Sequence, residues 1–117
     1  MTRLGSETIV IVHAALVTNT RDNSEGRDWA NATRTAYGGC MVEPFLMSNK
    51  LIKEDNQDRE WTQEFLRCYL PATAVIEYTD RLEWRDRKMD AFGLPQLWCD
   101  FRGNPHHYQI IGQVRLG

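Results

Sequence analysis

The chain predicts an all-β fold, a small β-barrel or sandwich of about six strands with a long charged loop between the second and third strands. Two observations carry that expectation. Short apolar segments are punctuated throughout by clusters of Gly, Pro, Asn, Asp and charged residues. The first of those segments, Ile9-Val10-Ile11-Val12, is β-branched at every position, which favours strand over helix. At 117 residues the whole chain, 1–117, is expected to form one domain with one core.

The elements follow in order. A first strand is expected over Glu7–Val17, and the polar stretch Asn19–Asp28 then forms a hairpin loop in which Gly26 can supply a positive φ. Trp29 re-enters to cover one end of the core. The second strand runs about Ala36–Phe45. Gly38-Gly39 near its start points to a bulge or a close backbone approach, and Pro44 marks its edge or end. Ser48–Glu60 is polar and highly charged, and a connection of that length inside a compact domain is usually functional or disordered.

Trp61–Leu70 admits two readings. Trp61 and Phe65 fall at helical spacing, whereas Leu66, Cys68 and Leu70 alternate as in a strand. The strand is preferred because its neighbours all read β, and Pro71 ends the element either way. Ala74–Tyr78 is a short extended piece leading to Asp80. Leu82–Trp84 and Met89–Phe92 form a hairpin through the charged turn Arg85–Lys88, and Gly93 and Pro95 break the second of these strands. A loop is expected over Gln96–His106, with Gly103-Asn104-Pro105 at its tip, and Tyr108–Leu116 is the last strand.

Composition narrows the function. Hydrophobic residues make up 42% and charged residues 26%, too apolar for wholesale disorder. With 14 basic and 16 acidic side chains the net charge is -2. A dedicated duplex-DNA binder relies on a cationic excess, so that class is disfavoured; the wall of a DNA channel, where weak contact is wanted, is compatible. Cys40, Cys68 and Cys99 are odd in number and widely spaced, which argues against a disulfide framework and for a reducing compartment. The N-terminus lacks the apolar stretch of a secretory signal, and no apolar run of about 18 residues is available to span a membrane. The sequon at Asn31-Ala32-Thr33 is read as chance.

No pattern of reactive side chains stands out, and neither a catalytic residue nor a cofactor is expected. His106 and His107 are adjacent, and neighbouring residues on an extended chain point to opposite faces, so they do not readily share a metal ion. His13, in the first strand, brings no companion. No Gly-x-Ser-x-Gly and no glycine-rich phosphate loop is present. Cys40 and Cys68 sit in apolar strands, where a thiol behaves as a small hydrophobe. The best case for stacking single-stranded nucleic acid is Trp84-Arg85-Asp86-Arg87-Lys88, but Asp80, Glu83, Asp86 and Asp90 offset its basic residues. Core closure or subunit contact is the preferred use of Trp29, Trp61, Trp84 and Trp98. The loop 48–60 remains. Its mixed signs suit pairing between equivalent copies around a ring.

Taken in order, the anchors are a first strand, Asp22…Gly26…Trp29, Gly39-Cys40-x-Val42-x-Pro44, a polar loop, Leu70-Pro71, Asp80-Arg81-Leu82, and Gly93-x-Pro95-x-x-Trp98 before a final strand. This set, covering Thr8–Leu116, resembles the head-to-tail stopper (head-closure) proteins of long-tailed bacteriophages. One departure is clear: the family pattern has a glycine in the hairpin after Asp80, whereas this chain has Arg85-Asp86-Arg87-Lys88, so a different turn is required.

The resemblance implies a structural protein of the virion neck, made in the host cytoplasm. It implies a ring, expected to be a hexamer, below the portal and adaptor and above the tail terminator and tail tube. That ring closes the exit channel on packaged double-stranded DNA, which it touches weakly and without specificity. By position, Lys50, Lys53, Glu54, Asp55, Asp58 and Arg59 are assigned to lumen or inter-subunit contacts. The alternatives are another neck ring (a tail terminator or adaptor) and a small barrel binding single-stranded nucleic acid through Trp84. A salt-dependent gel shift would separate the last from the others.

Overall fold

A computed structural model describes residues 5–18, 25–45 and 64–115 of the chain. These form eight strands: β1 (Glu7–His13), β2 (Leu16–Thr18), β3 (Glu25–Arg27), β4 (Thr33–Pro44), β5 (Phe65–Pro71), β6 (Arg81–Trp84), β7 (Arg87–Cys99) and β8 (Pro105–Val114). Six of them close an antiparallel barrel in the order β1-β4-β5-β8-β7-β6, while β2 and β3 pair separately as a hairpin. The all-β barrel expected from the sequence is what forms.

The inward positions obey the period of two. Ile9 and Ile11 from β1, Leu66, Cys68 and Leu70 from β5, Leu82 from β6, Met89 from β7 and Ile110 from β8 are almost wholly buried in one cluster with Cys40. Residues 65–71 are therefore a strand, and the helical spacing of Trp61 and Phe65 does not decide that segment. Gly112 faces Met89: a Cβ there would lie 2.6 Å from the Met89 sulfur. A bare backbone on β8 is what lets this long side chain fill a narrow barrel.

The glycine pair in β4 does form a bulge. Glu7 pairs with Cys40 and Ile9 with Tyr37, so β4 carries an extra residue there, and Gly39 takes φ 69°. The β6–β7 turn, which has no glycine, is closed by Arg85 and Asp86 between the paired Trp84 and Arg87. Arg85 stands at φ 56°, a region that disfavours side chains, and its guanidinium is held against Glu7.

Several boundaries differ from the sequence reading: β4 begins at Thr33, ahead of the expected Ala36, and Glu25–Arg27, expected within a loop, pairs with β2 as a strand. The first strand stops at His13, because Ala14 is buried and the chain turns into the β2–β3 hairpin. The final strand begins at Pro105 and ends at Val114. Most consequentially, Gly93 and Pro95 do not break β7. The strand continues to Cys99, with two extra residues absorbed where Phe92 pairs Ile111 and Gln96 pairs Gln109. Gly93 supplies a φ of 93°, and Pro95 is tolerated because this part of β7 has β8 on one side and no described strand on the other. Gln96–Cys99 are thus strand, and the connecting loop shrinks to Asp100–Asn104.

Candidate functional site

The residues assigned from the sequence to the lumen loop, Lys50, Lys53, Glu54, Asp55, Asp58 and Arg59, lie outside the described residues. The site from which that segment departs is described. Pro44 pairs with Leu66 at the end of the β4–β5 ladder, and the Phe45 amide donates to the Phe65 carbonyl at 3.0 Å. The described residues on either side of 46–63 therefore lie side by side at one end of the barrel, like the two sides of a stalk.

Side chains fasten that stalk. On the same strands, Glu43 accepts hydrogen bonds from the Tyr69 hydroxyl (2.8 Å) and from Arg67 (3.2 Å), and the Arg67 guanidinium lies 4.7 Å from the centre of the Phe45 ring. On the neighbouring strand, Val114 donates to the Glu64 carbonyl at 2.9 Å, while Arg87 reaches the Glu64 carboxylate at 3.2 Å. The β6–β7 turn at this end adds Arg85–Glu7 at 3.1 Å. Arg85 and then Trp84, both hydrogen-bonded to Glu7, hold its carboxyl below the usual carboxylate range.

This belt bears on the stacking candidate. The Trp84 ring is flanked by the guanidiniums of Arg85 (4.8 Å) and Arg87 (5.7 Å), and its indole N–H donates to Glu7 at 2.7 Å. Both arginines are already engaged by carboxylates. The arrangement suits a neutralised rim better than a cationic track for a phosphate backbone.

A second polar cluster sits at the opposite end of the barrel, where β1 finishes. Contrary to the sequence reading, His13 has companions there. Its Nδ1 lies 2.7 Å from Asp80 Oδ1 and 3.8 Å from Glu77 Oε2. Asp80 is only 3% exposed, and its second oxygen accepts from the Glu77 amide at 2.9 Å. The three donor atoms lie within 4.8 Å of one another and border a recess of about 220 Å³ lined also by Thr33, Thr35 and Tyr37. One imidazole and two carboxylates could hold a divalent cation. The 2.7 Å separation, however, is that of a hydrogen bond, and each Asp80 oxygen is already satisfied. The cluster is best read as a clamp joining β1 to the β5–β6 connection. Sequence reasoning does not find it because His13 and Asp80 are 67 positions apart; in the sequence Asp80 figures as an anchor before Leu82 and as one of the acids offsetting the basic residues around Trp84.

His106 and His107, expected on opposite faces, bring their Nδ1 atoms within 2.7 Å, so one ring must donate and the other accept. Burial, and then His106, lower the affinity of His107 for a proton. His107 also stacks on Trp98, its cross-strand partner (ring centres 6.3 Å apart). All three cysteines are free, Cys40 and Cys68 buried and Cys99 exposed. Burial, reinforced by Cys40, pushes the Cys68 thiol up to about 12, so neither buried thiol is suited to nucleophilic work.

No protein-family model matches the chain, and no curated protein matches it either.

Proposed function

We propose that this protein is a structural component of a bacteriophage neck, a stopper that assembles as a ring, closes the DNA exit channel and receives the tail. The observation that carries the reading is the fastened stalk. A charged segment of the chain leaves and re-enters a closed barrel at one place, between the strands where the resembling family carries its lumen loop. Such a design separates a closed wall from the segment assigned to the lumen. Contacts between loops are weak singly and multiplied by the symmetry of a ring. A gate built this way can hold pressurised DNA and still open.

The low net charge of -2 and the neutralised rim around Trp84 support the same reading, because a gate that bound duplex DNA tightly would obstruct ejection. In this proposal the ring has six copies, the adaptor lies above and the tail terminator below, and Lys50, Lys53, Glu54, Asp55, Asp58 and Arg59 make lumen or inter-subunit contacts. No catalytic step is assigned.

The test is deletion of residues 50–58 in the particle that encodes the chain. The stalk bonds Phe45–Phe65 and Glu43–Arg67 lie outside the deletion, so the barrel should fold. Filled heads are expected to lose DNA or to fail at tail joining. Heads that retain DNA and join tails normally would refute the gate.

A further inference from the structure

The His13–Asp80 clamp carries a charge imbalance that one hydrogen bond does not settle. Asp80 is 3% exposed, and Glu77 brings a second carboxylate within 3.8 Å of the same imidazole nitrogen. Among the described residues, His13 is the only basic side chain that either carboxylate meets. Arg34 and Arg81, the partners of Val12 on the two flanking strands, are committed elsewhere. Arg34 pairs with Glu83, while Arg81 pairs with Asp90 and lies over the Trp29 ring. Buried charge is ordinarily paired with its opposite or bound to a metal ion. Two carboxylates facing one imidazole leave negative charge for a cation to neutralise.

The donors also converge, and their supports are fixed. The Asp80 amide donates to the Glu77 carbonyl at 3.0 Å, and the Glu77 amide donates to Asp80 Oδ2 at 2.9 Å. The Val75 amide donates to the Tyr37 hydroxyl at 3.1 Å, tying the same segment to β4. Such outer bonds orient the ligands of metal sites. One donor atom from each of the three residues lies within 4.8 Å of the other two. Bonds of about 2.0–2.1 Å in a tetrahedron place donor atoms about 3.3 Å apart. The separations of 2.7 Å and 3.8 Å from His13 Nδ1 bracket that value, so shifts of about half an ångström suffice. The His13 and Glu77 side chains are 43% and 55% exposed and are able to move while buried Asp80 stays in place.

We propose that His13, Glu77 and Asp80 bind a divalent transition cation of the zinc class, with a fourth position open to water in the adjoining recess of about 220 Å³. Without a cation the three residues form the hydrogen-bonded clamp. With one, the cation takes the place of the Nδ1 proton: a neutral ring is protonated at Nε2 instead, and a charged ring releases a proton to solvent. An imidazole with two carboxylates suits zinc, manganese or iron, whereas calcium draws about six to eight oxygens. The bound ion fastens the end of β1 to the β5–β6 connection. This inference does not rest on the neck reading.

Calorimetric titration of the full chain with Zn²⁺ tests the site, and Glu77→Gln is the deciding variant. It keeps the His13–Asp80 bond and the Glu77 amide, so the barrel folds, but it removes one ligand. Circular dichroism checks that folding. The wild-type chain is expected to bind Zn²⁺ and to melt at least about 5 °C higher with zinc at 100-fold excess over Kd than with chelator. Glu77→Gln should bind at least about 10-fold more weakly, since even a lost outer-shell partner costs that much. Asp80→Asn serves as a second ligand variant, with the same expectation. Absence of zinc binding overturns the proposal. So does zinc bound equally well by folded Glu77→Gln, or zinc lost instead in the His106→Ala, His107→Ala double variant, either of which places the metal elsewhere. Displacement of the zinc by a small excess of Mg²⁺ would overturn the class of cation.

Discussion

Removing the Asp80 carboxylate should destabilise the barrel more than any other single polar change among the described residues. It is 3% exposed and accepts two hydrogen bonds, from His13 Nδ1 at 2.7 Å and from the Glu77 amide at 2.9 Å. A hydrogen bond to a charged group is worth about 1.5–3 kcal/mol, so two give about 3–6 kcal/mol. Part of this is offset, because Asp80→Ala also removes the desolvation penalty of a buried carboxylate. A net loss of about 3 kcal/mol is expected, or roughly 12 °C in Tm at about 4 °C per kcal/mol. Asp80→Asn keeps the shape and one acceptor and should lose about half as much. Urea unfolding of Asp80→Ala, His13→Ala and the double variant closes a cycle, with an expected coupling of at least about 1 kcal/mol. Additivity within about 0.3 kcal/mol would show that His13 and Asp80 do not act as a clamp.

Leu70→Ala opens a hole against Leu66, Cys68 and Ile110 at the barrel centre and should lose about 2–5 kcal/mol in chemical denaturation; a loss under 1 kcal/mol would contradict the packing. Titration of the native protein with a thiol reagent at mildly alkaline pH should label Cys99 alone and reach three groups only on unfolding, since Cys40 and Cys68 are buried; rapid labelling of a second thiol would refute their burial. The lowered proton affinity of His107 means that the unfolded chain binds protons more readily in the window from about 6.5 downward, so this group contributes stability above the unfolded pKa that is lost as pH falls through the folded one. Hydrogen exchange should accordingly quicken in residues 96–99 and 105–109 between pH 7.5 and 5.5, after correction for intrinsic rates; uniform exchange along β7 would contradict this.

Much of the barrel was legible because its signals are local. Four β-branched residues in a row placed β1, alternation of Leu66, Cys68 and Leu70 placed β5, and Gly38-Gly39 marked the bulge opposite Thr8. The continuation of β7 to Cys99 was not legible, because Gly93 and Pro95 disrupt a strand only where a partner needs the missing donor or the ordinary φ. Whether such a partner exists is a property of the whole sheet. The His13–Asp80 clamp was hidden for a related reason: barrel closure brings together the ends of β1 and of the β5–β6 connection, which no periodicity links. For Lys50 to Arg59, charge and length raise the expectation of a functional segment, and these residues lie outside the described structure.

The most direct measurement is a reconstruction of the assembled neck in which this chain is located. A ring of six copies between adaptor and tail is expected, with the Pro44–Leu66 stalk of every barrel turned toward the channel axis. A chain absent from the neck, or a ring whose stalks point outward from the channel, would contradict it.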